Sequence, residues 1–437
     1  MTVQNTSAPA GRPTRRPGRT RVRWQIAAMA CAGVAVSNID RSVISVALPH
    51  MSDDMHISPS VQGLVLGWFF LMYAVCLLPA GAVVGRFGAR IAFGIGGLIW
   101  GAATLATAAV QGVGVLLGLR VALGVGESSQ YPSCVAAVGK WFPRSERGTA
   151  SAIWDTGARI GGVLTLPLVT TVIGFAGWRA AFLLAGGIGV LWAIGWLVTY
   201  RDPDAHPRVG AAELAHIKAG QQPDPAGADT LRWRELFRYR ATWGLMAGFF
   251  CFNYIAYFFV TWFPSYLVDE RGFDLLQLGL MGMIPGAVAI CAELLSGVLQ
   301  DRLTARGLST TMVRKTPLVV GMLGASVIAA AVLVPSAAAA LALLSVSYGL
   351  LMLGAASLGA LPADIGPSTR HAAALGGIQN CAGNVAGFLG PVVTGWLLET
   401  SGSFTLPLLV TGVVSLAGAA AYLFLLPRVR PLDVDRS

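Results

Sequence analysis

The sequence predicts an all-α membrane protein of twelve transmembrane helices in two pseudo-symmetric six-helix bundles. Three observations carry that prediction: the low charge, the recurrence of apolar segments of spanning length, and the one-sided placement of the basic residues. The 437-residue chain is 55% hydrophobic and only 12% charged, whereas soluble domains carry about 25% charged residues. So few charges cannot cover a wetted surface of this size, but helices facing lipid satisfy their backbone internally and need no polar cover.

Segments of roughly 20 apolar residues, the length that crosses hydrocarbon, occupy 24–49, 60–84, 91–110, 112–138, 149–173 and 179–200. A second set occupies 241–268, 276–299, 316–334, 336–361, 372–398 and 404–426. Basic residues outside the spans fall on one side, with Arg179 and Arg271 alone on the other. Both termini are therefore expected in the cytoplasm, in a multi-pass protein of the inner or plasma membrane. The net charge of +10 follows from this asymmetry and from contact with anionic lipid, so no nucleic-acid partner is expected. Arg12, Arg15, Arg16 and Arg19 enrich the amino-terminal tail, but the apolar run after it is too long for a cleaved leader.

The expected organisation is a basic tail (1–23), an amino-terminal six-helix bundle (24–200), a cytoplasmic linker (201–240), a carboxy-terminal bundle (241–427) and a short tail (428–437). The linker is set apart by Pro203, Pro207, Pro223 and Pro225. Gly81, Arg86 and Gly88 after the second span have counterparts in Gly297, Asp301 and Arg302 after the eighth. Two six-helix repeats around a central site is a transporter plan, with the site near the midplane. No phosphate-cradling loop lies outside the spans, no nucleophile and base constellation appears, and the six cysteines are scattered through apolar runs. Enzyme activity, a cofactor and a bound metal are not expected.

Function must then reside in the ionisable residues within the spans: Asp40, Arg41, Arg120, Glu127, Asp155, Arg159 and Glu293. At about 3 kcal/mol each, unpaired, they would cost on the order of 20 kcal/mol. They must pair with one another or face water. Asp155 and Arg159 lie four apart and can neutralise each other on one helix turn; Glu293, nearer its helix end, either reaches the interface or pairs with another helix. Arg120 and Glu127 lie seven apart, on one face and about 10 Å apart along the axis. Adjacent Asp40 and Arg41 diverge by about 100° and must look elsewhere for partners. The five histidines lie at or beyond span ends, so coupled protons would ride on Asp40 or Glu127. Tyr73, Asn253, Tyr254, Tyr257, Gln379, Asn380 and Asn384 offer hydrogen bonds to a cavity or between helices.

The run GAVVGRFGAR from Gly81 to Arg90 resembles the signature of the major facilitator superfamily. Asp40-Arg41, Arg120 with Gly124, Gly126 and Glu127, WFPRSERG from Trp141, GWR from Gly177 and WFPSYL from Trp262 resemble its anion:cation symporter family, whose members include hexuronate, aldonate and glucarate carriers. The likeness extends from Asn384 through Pro391 to Phe404. It implies the major facilitator fold and uptake of a small organic anion by proton symport. It also implies that Arg41 and Arg120 anchor a carboxylate, that Asp40 and Glu127 carry protons, and that Tyr73 and the amides Asn380 and Asn384 contact hydroxyls, with Asn253 and Tyr254 completing the site. Arg86 and Asp301, with Asp155 and Arg159, are expected to be structural or gating charges. Gly85 stands where the signature has an acid. The partners expected are the anion, protons and lipid, with the protein a monomer. Rival expectations are an efflux antiporter for amphiphilic compounds and an anion sensor that does not transport.

Overall fold

The computed structural model describes residues 21–219 and 233–432; Arg12, Arg15, Arg16 and Arg19, and the linker prolines Pro223 and Pro225, lie outside them. The chain is helical throughout the described residues apart from short connections. Helix α1 is Val22–Met55. The run Pro59–Thr107 breaks at Gly88 (φ 79°, ψ 162°) into α2 (59–87) and α3 (89–107). Helix α4 is Val113–Glu127, resuming as Gln130–Trp141. The run Arg144–Thr199 breaks at Gly177 (φ 77°, ψ 169°) into α5 (144–176) and α6 (178–199). The second half contains α7 (Arg240–Thr261), α8 (Leu275–Ala305), α9 (Thr310–Leu333), α10 (Ala337–Ile365), α11 (Thr369–Ser401) and α12 (Thr405–Leu425).

Ten helices among the described residues are individually long and apolar enough to cross a membrane. One of them, Arg144–Thr199, is two spans joined at Gly177, and the broken α4 completes the twelve. The glycines of the GAVVGRFGAR and GWR motifs thereby acquire a physical reason. Gly88 and Gly177 each turn the chain between consecutive helices with a positive φ that a side chain resists. Gly402 does the same where α11 ends, at φ 71°.

Within the amino-terminal half, Trp192, Trp196 and Tyr200 of α6 stack successively, with Phe93 and Trp100 of α3 against them. The face carrying the chain termini is held by polar ties. Arg23 at the start of α1 donates to Glu146 of α5 (2.8 Å) and to Glu213 (3.0 Å). Glu213 belongs to a short linker helix, Ala211–Ala219, and is wholly buried. In the other half Arg314 of α9 donates to Asp364 of α10 (2.8 Å) and to Gln300 of α8 (3.0 Å). Arg86 and Asp301, expected to be part of a gating network, are both exposed. Arg86 lies over the Phe87 ring at 5.4 Å, and Gln300, next to Asp301, is the α8 residue that takes the Arg314 bond.

Toward the opposite face the two halves meet closely. A Cβ on Gly63 or Gly395 would collide with the carbonyl of Pro391 or Pro59, and one on Gly67 with the carbonyl of Phe388. Small residues let the backbones of α2 and α11 touch there. Ser58 and Ser60 add hydrogen bonds to Glu399 at 3.1 Å and 2.9 Å. Helices α5 and α8 approach similarly at Thr170 and Gly279. The halves are therefore closed together at the face remote from the termini.

Gly63→Val should disfavour this arrangement, since overpacking costs about 1–3 kcal/mol. Spin labels on Ser60→Cys and Glu399→Cys should report a population of longer distances in that variant; an unchanged distance distribution would show that α2 and α11 adapt at no cost.

Candidate functional site

Between the halves lies a cavity of about 680 Å³, lined by α1, α5, α7, α8 and α10. Its charged walls are Arg41, Asp155, Arg159 and Glu293, and its neutral polar walls include Asn38, Ser42, Ser45, Asn253 and Tyr257. The α7 contribution recurs at Phe249, Asn253, Tyr257 and Val260, the spacing of one helix face.

The central ion pair joins α1 to α4. Arg41 donates through Nε (3.2 Å) and Nη2 (2.5 Å) to Glu127 Oε2. Its guanidinium also lies 4.7 Å from the Phe69 ring and 5.5 Å from the Tyr73 ring, both of α2. Aromatic faces attract such a cation, which helps to hold it out of bulk water. Glu127 is fully buried, and it is the last residue before α4 breaks at Ser128 and Ser129. Glu127 Oε1 has no hydrogen-bond partner among the described residues.

Arg120 is buried and has neither a hydrogen bond nor an ion-pair partner among the described residues. It lines a separate chamber of about 10 Å³, enclosed with Arg41, Ser45, Phe69, Phe70 and Thr261. That is about the space one water needs. The chamber shares Arg41, Ser45 and Val260 with the larger cavity, so Arg120 stands immediately behind its wall.

Asp40 does not face the cavity. Its side chain is buried inside the amino-terminal half against Trp100 of α3 and Gly189 of α6, where an added Cβ would stand 2.9 Å from Asp40 Oδ2. The Trp100 indole N–H is the nearest donor but is not in normal hydrogen-bond geometry, and neither carboxylate oxygen has another partner among the described residues. Asp40 still interacts electrostatically with Glu127 and Arg120, which makes these three and Arg41 one charge cluster.

A second cluster crosses between the halves. Arg159 donates to Asp155 one turn before it on α5 (2.8 Å), and through Nε (3.2 Å) and Nη2 to both carboxylate oxygens of Glu293 on α8. The local Asp155–Arg159 pair expected from spacing is present, but it is two-thirds of a triad. Glu293 reaches across to the other half instead of toward the membrane interface.

Of the other expected site residues, Asn253 lines the cavity and binds the Phe249 carbonyl of its own helix through Nδ2 (2.9 Å). Tyr73 sits beside Arg41 without lining the cavity. Tyr254 is buried against α11 at Gly390; its neighbour one turn on, Tyr257, takes the cavity wall and packs on Phe70 at 4.3 Å. Asn384 donates to Asn380 (2.9 Å) along α11, with Asn384 buried and Asn380 exposed, and neither lines the cavity. Tyr348 of α10 is a lining residue that sequence reading missed. Among the described residues no cluster of three or more His, Cys, Asp or Glu side chains offers a metal site.

A family profile described as Major Facilitator Superfamily matches residues 30–376. The chain is 37% identical over 413 residues to a probable sulfoacetate transporter, SauU, of Cupriavidus necator, covering 94% of this chain and 95% of that one. It is 31% identical to a probable L-galactonate transporter of Escherichia coli, covering 89% and 86%. It is also 30% identical to a probable galactarate/D-glucarate transporter of Bacillus subtilis, covering 94% and 93%. Among solved structures, a bacterial homologue of the human lysosomal transporter Spinster, in an inward-facing and occupied conformation, superposes with a TM-score of 0.78 at 19% identity, covering 93% of this chain and 97% of that one.

Removing Arg41 alone leaves Glu127 buried without its partner. Arg41→Met should therefore lower stability by about 3 kcal/mol, whereas Arg41→Met combined with Glu127→Gln should recover most of the loss. Thermal unfolding of the purified variants reads this. A double variant no more stable than the single one would show that the pair is not the reason for the loss.

Proposed function

This chain belongs to the Major Facilitator Superfamily, and from that premise we propose that it is a proton-coupled symporter carrying a small organic anion into the cytoplasm by alternating access. The observation that carries the reading is Arg120, a buried guanidinium without a partner, one chamber away from the cavity between the halves. A buried guanidinium with no hydrogen bond is costly, and the nearby carboxylates of Glu127 and Asp40 offset that only in part. An anionic ligand that shares it offsets that cost. The named relatives are transporters of organic acids, which supports a carboxylate-bearing substrate; whether it is a sugar acid or another carboxylate is part of what the assay below decides.

Arg41 and Arg120 both line the small chamber, so an anionic group reaching it from the cavity would meet both forks. Arg41 is already engaged by Glu127. With a proton on Glu127, that carboxyl no longer competes as an anion, and the Nε and Nη2 donors of Arg41 turn to the substrate. Proton and anion then bind together because each relieves what the other would otherwise face. The competition falls on Arg41, which Glu127 engages, and not on Arg120, with which Glu127 shares a helix face. Asp40, buried with both oxygens unbonded and coupled to Glu127 and Arg120, is the second proton-carrying group in this scheme.

The basic residues on the terminal face support a cytoplasmic location for it under the same reading. The closed contact of α2 with α11 then lies on the outer side, and the chain is in an inward-facing state. Rocking of the six-helix halves about the cavity would exchange the closed face.

Arg120→Lys keeps the charge and loses the bidentate fork, so substrate affinity should fall about tenfold, or 1.4 kcal/mol. Unchanged binding would remove Arg120 from the site. Proteoliposomes separate movement from coupling. Glu127→Gln should still support counterflow at equal pH on both sides while failing to accumulate substrate under an inward proton gradient, and Asp40→Asn should behave similarly. Uphill accumulation by Glu127→Gln as great as the parent's would make Glu127 structural, and outward pumping by the parent would replace symport with efflux.

A further inference from the structure

The Arg159 triad is built differently from an ordinary salt bridge. Asp155 uses one nitrogen of the guanidinium, Nη1, and stays on the same helix turn. Glu293 takes the opposite edge, Nε and Nη2, with its two oxygens side by side. That two-pronged arrangement is how arginine holds a free carboxylate, and its planar fork suits other oxyanions too. Glu293 is contributed by the other half of the protein, so the better edge of Arg159 is occupied by a group that can be withdrawn when the halves rock.

All three residues line the cavity that also holds Arg41. At 1.5 Å per residue, Arg159 lies about 22 Å along α5 from Arg144, Glu293 about 18 Å along α8 from Ala305, and Arg41 about 28 Å along α1 from Val22. These ends share the terminal face, so the two arginines differ in depth by only about 6 Å. Asp155 is half exposed and Arg159 a third exposed, whereas Arg120 and Glu127 are buried. The triad therefore stands at the open end of the cavity and the Arg41 cluster at its closed end. Two carboxylates on one guanidinium leave one excess negative charge, which repels a further anion as long as Glu293 remains seated.

We propose that Glu293 occupies on Arg159 the seat of a second anionic group of the substrate, making this a carrier of small dianions such as dicarboxylates or sulfo-carboxylates; the proposal rests on the organic-anion reading above. One end of the ligand binds at the Arg41 and Arg120 cluster, and the other displaces Glu293 from the Nε/Nη2 edge. The exchange is like for like at Arg159, which keeps two anionic partners throughout. Displaced Glu293 faces Tyr348 of α10, with which it interacts electrostatically and which lines the same cavity. The substrate thus cuts an ion pair that ties the halves together while filling the site between them. An anion charged at one end only binds at the first cluster and leaves the tie in place. Arg159 is in this account a specificity-determining residue, and Glu293 an internal competitor for it.

Calorimetric binding to the purified full-length protein tests this with matched ligands: D-glucarate against D-gluconate, and sulfoacetate against methylsulfonylacetate, in which a neutral sulfone replaces the sulfonate. The parent should prefer the dianion at least tenfold in one pair, or 1.4 kcal/mol. Arg159→Met should reduce that preference below threefold. Glu293→Gln removes the competing charge with little change of shape, and should bind the dianion several-fold more tightly than the parent. The proposal is overturned by a parent that binds these anions without preference for charge, by an Arg159→Met protein that keeps the preference, or by a Glu293→Gln protein that binds the dianion more weakly. Should Arg159→Met not fold, the Glu293→Gln result decides. If none of the four ligands binds the parent, the organic-anion reading itself falls, an outcome distinct from binding without discrimination.

Discussion

Charge inside a low-dielectric bundle must be compensated, and the Arg41–Glu127 pair is where this chain meets that demand most directly. The pair joins α1 to α4 at the closed end of the cavity, so it fixes where Arg41 points and leaves Arg120 as the cation without a partner. Had Glu127 paired with Arg120 on its own helix, Arg41 would face the cavity without that partner. The break of α4 immediately after Glu127 belongs to the same arrangement. A carboxylate on the last turn before a discontinuity can be aimed at a neighbouring helix without the whole span having to follow.

The same demand is met a second time by Arg159, with the difference that its partners come from both halves. One cluster is therefore internal to the amino-terminal bundle, and the other spans the boundary that moves. Charge pairs within a rigid body persist through rocking, and pairs across the boundary are exchanged. In the proposed cycle this division would let one set of residues define the site while another responds to its occupation.

Much of this was legible in the sequence because membrane insertion leaves few ways to arrange twelve apolar segments, and because charge within them is rare enough to name. The spacing of Asp155 and Arg159 fixed their contact. The divergence of Asp40 from Arg41 excluded a contact between them, and the two do point to different places. What spacing could not supply was distance between helices. Seven residues put Arg120 and Glu127 on one face about 10 Å apart along the axis, where they interact electrostatically without a hydrogen bond, while α1 runs alongside and brings Arg41 within 2.5 Å of Glu127. Nor does the sequence set the rotation of α7: Tyr254 and Tyr257 are three residues apart and both meet α11, at Gly390 and Gly387, yet of the two Tyr257 lines the cavity. Glu293 was ambiguous for a related reason, since its partner belongs to the other half and is 134 residues away in sequence.

The contact of α2 with α11 has a consequence for the cycle as a whole. At Gly63, Gly67 and Gly395 the closing surfaces bring main chain against main chain, so forming these contacts freezes few side-chain rotamers. Carriers turn over only if neither end state is a deep well, because every kilocalorie that favours one conformation must be climbed on the way back. Under the proposed cycle, glycine at the closing face would help to keep the two orientations close in energy, and leave the small energies of a bound anion and a proton sufficient to choose between them.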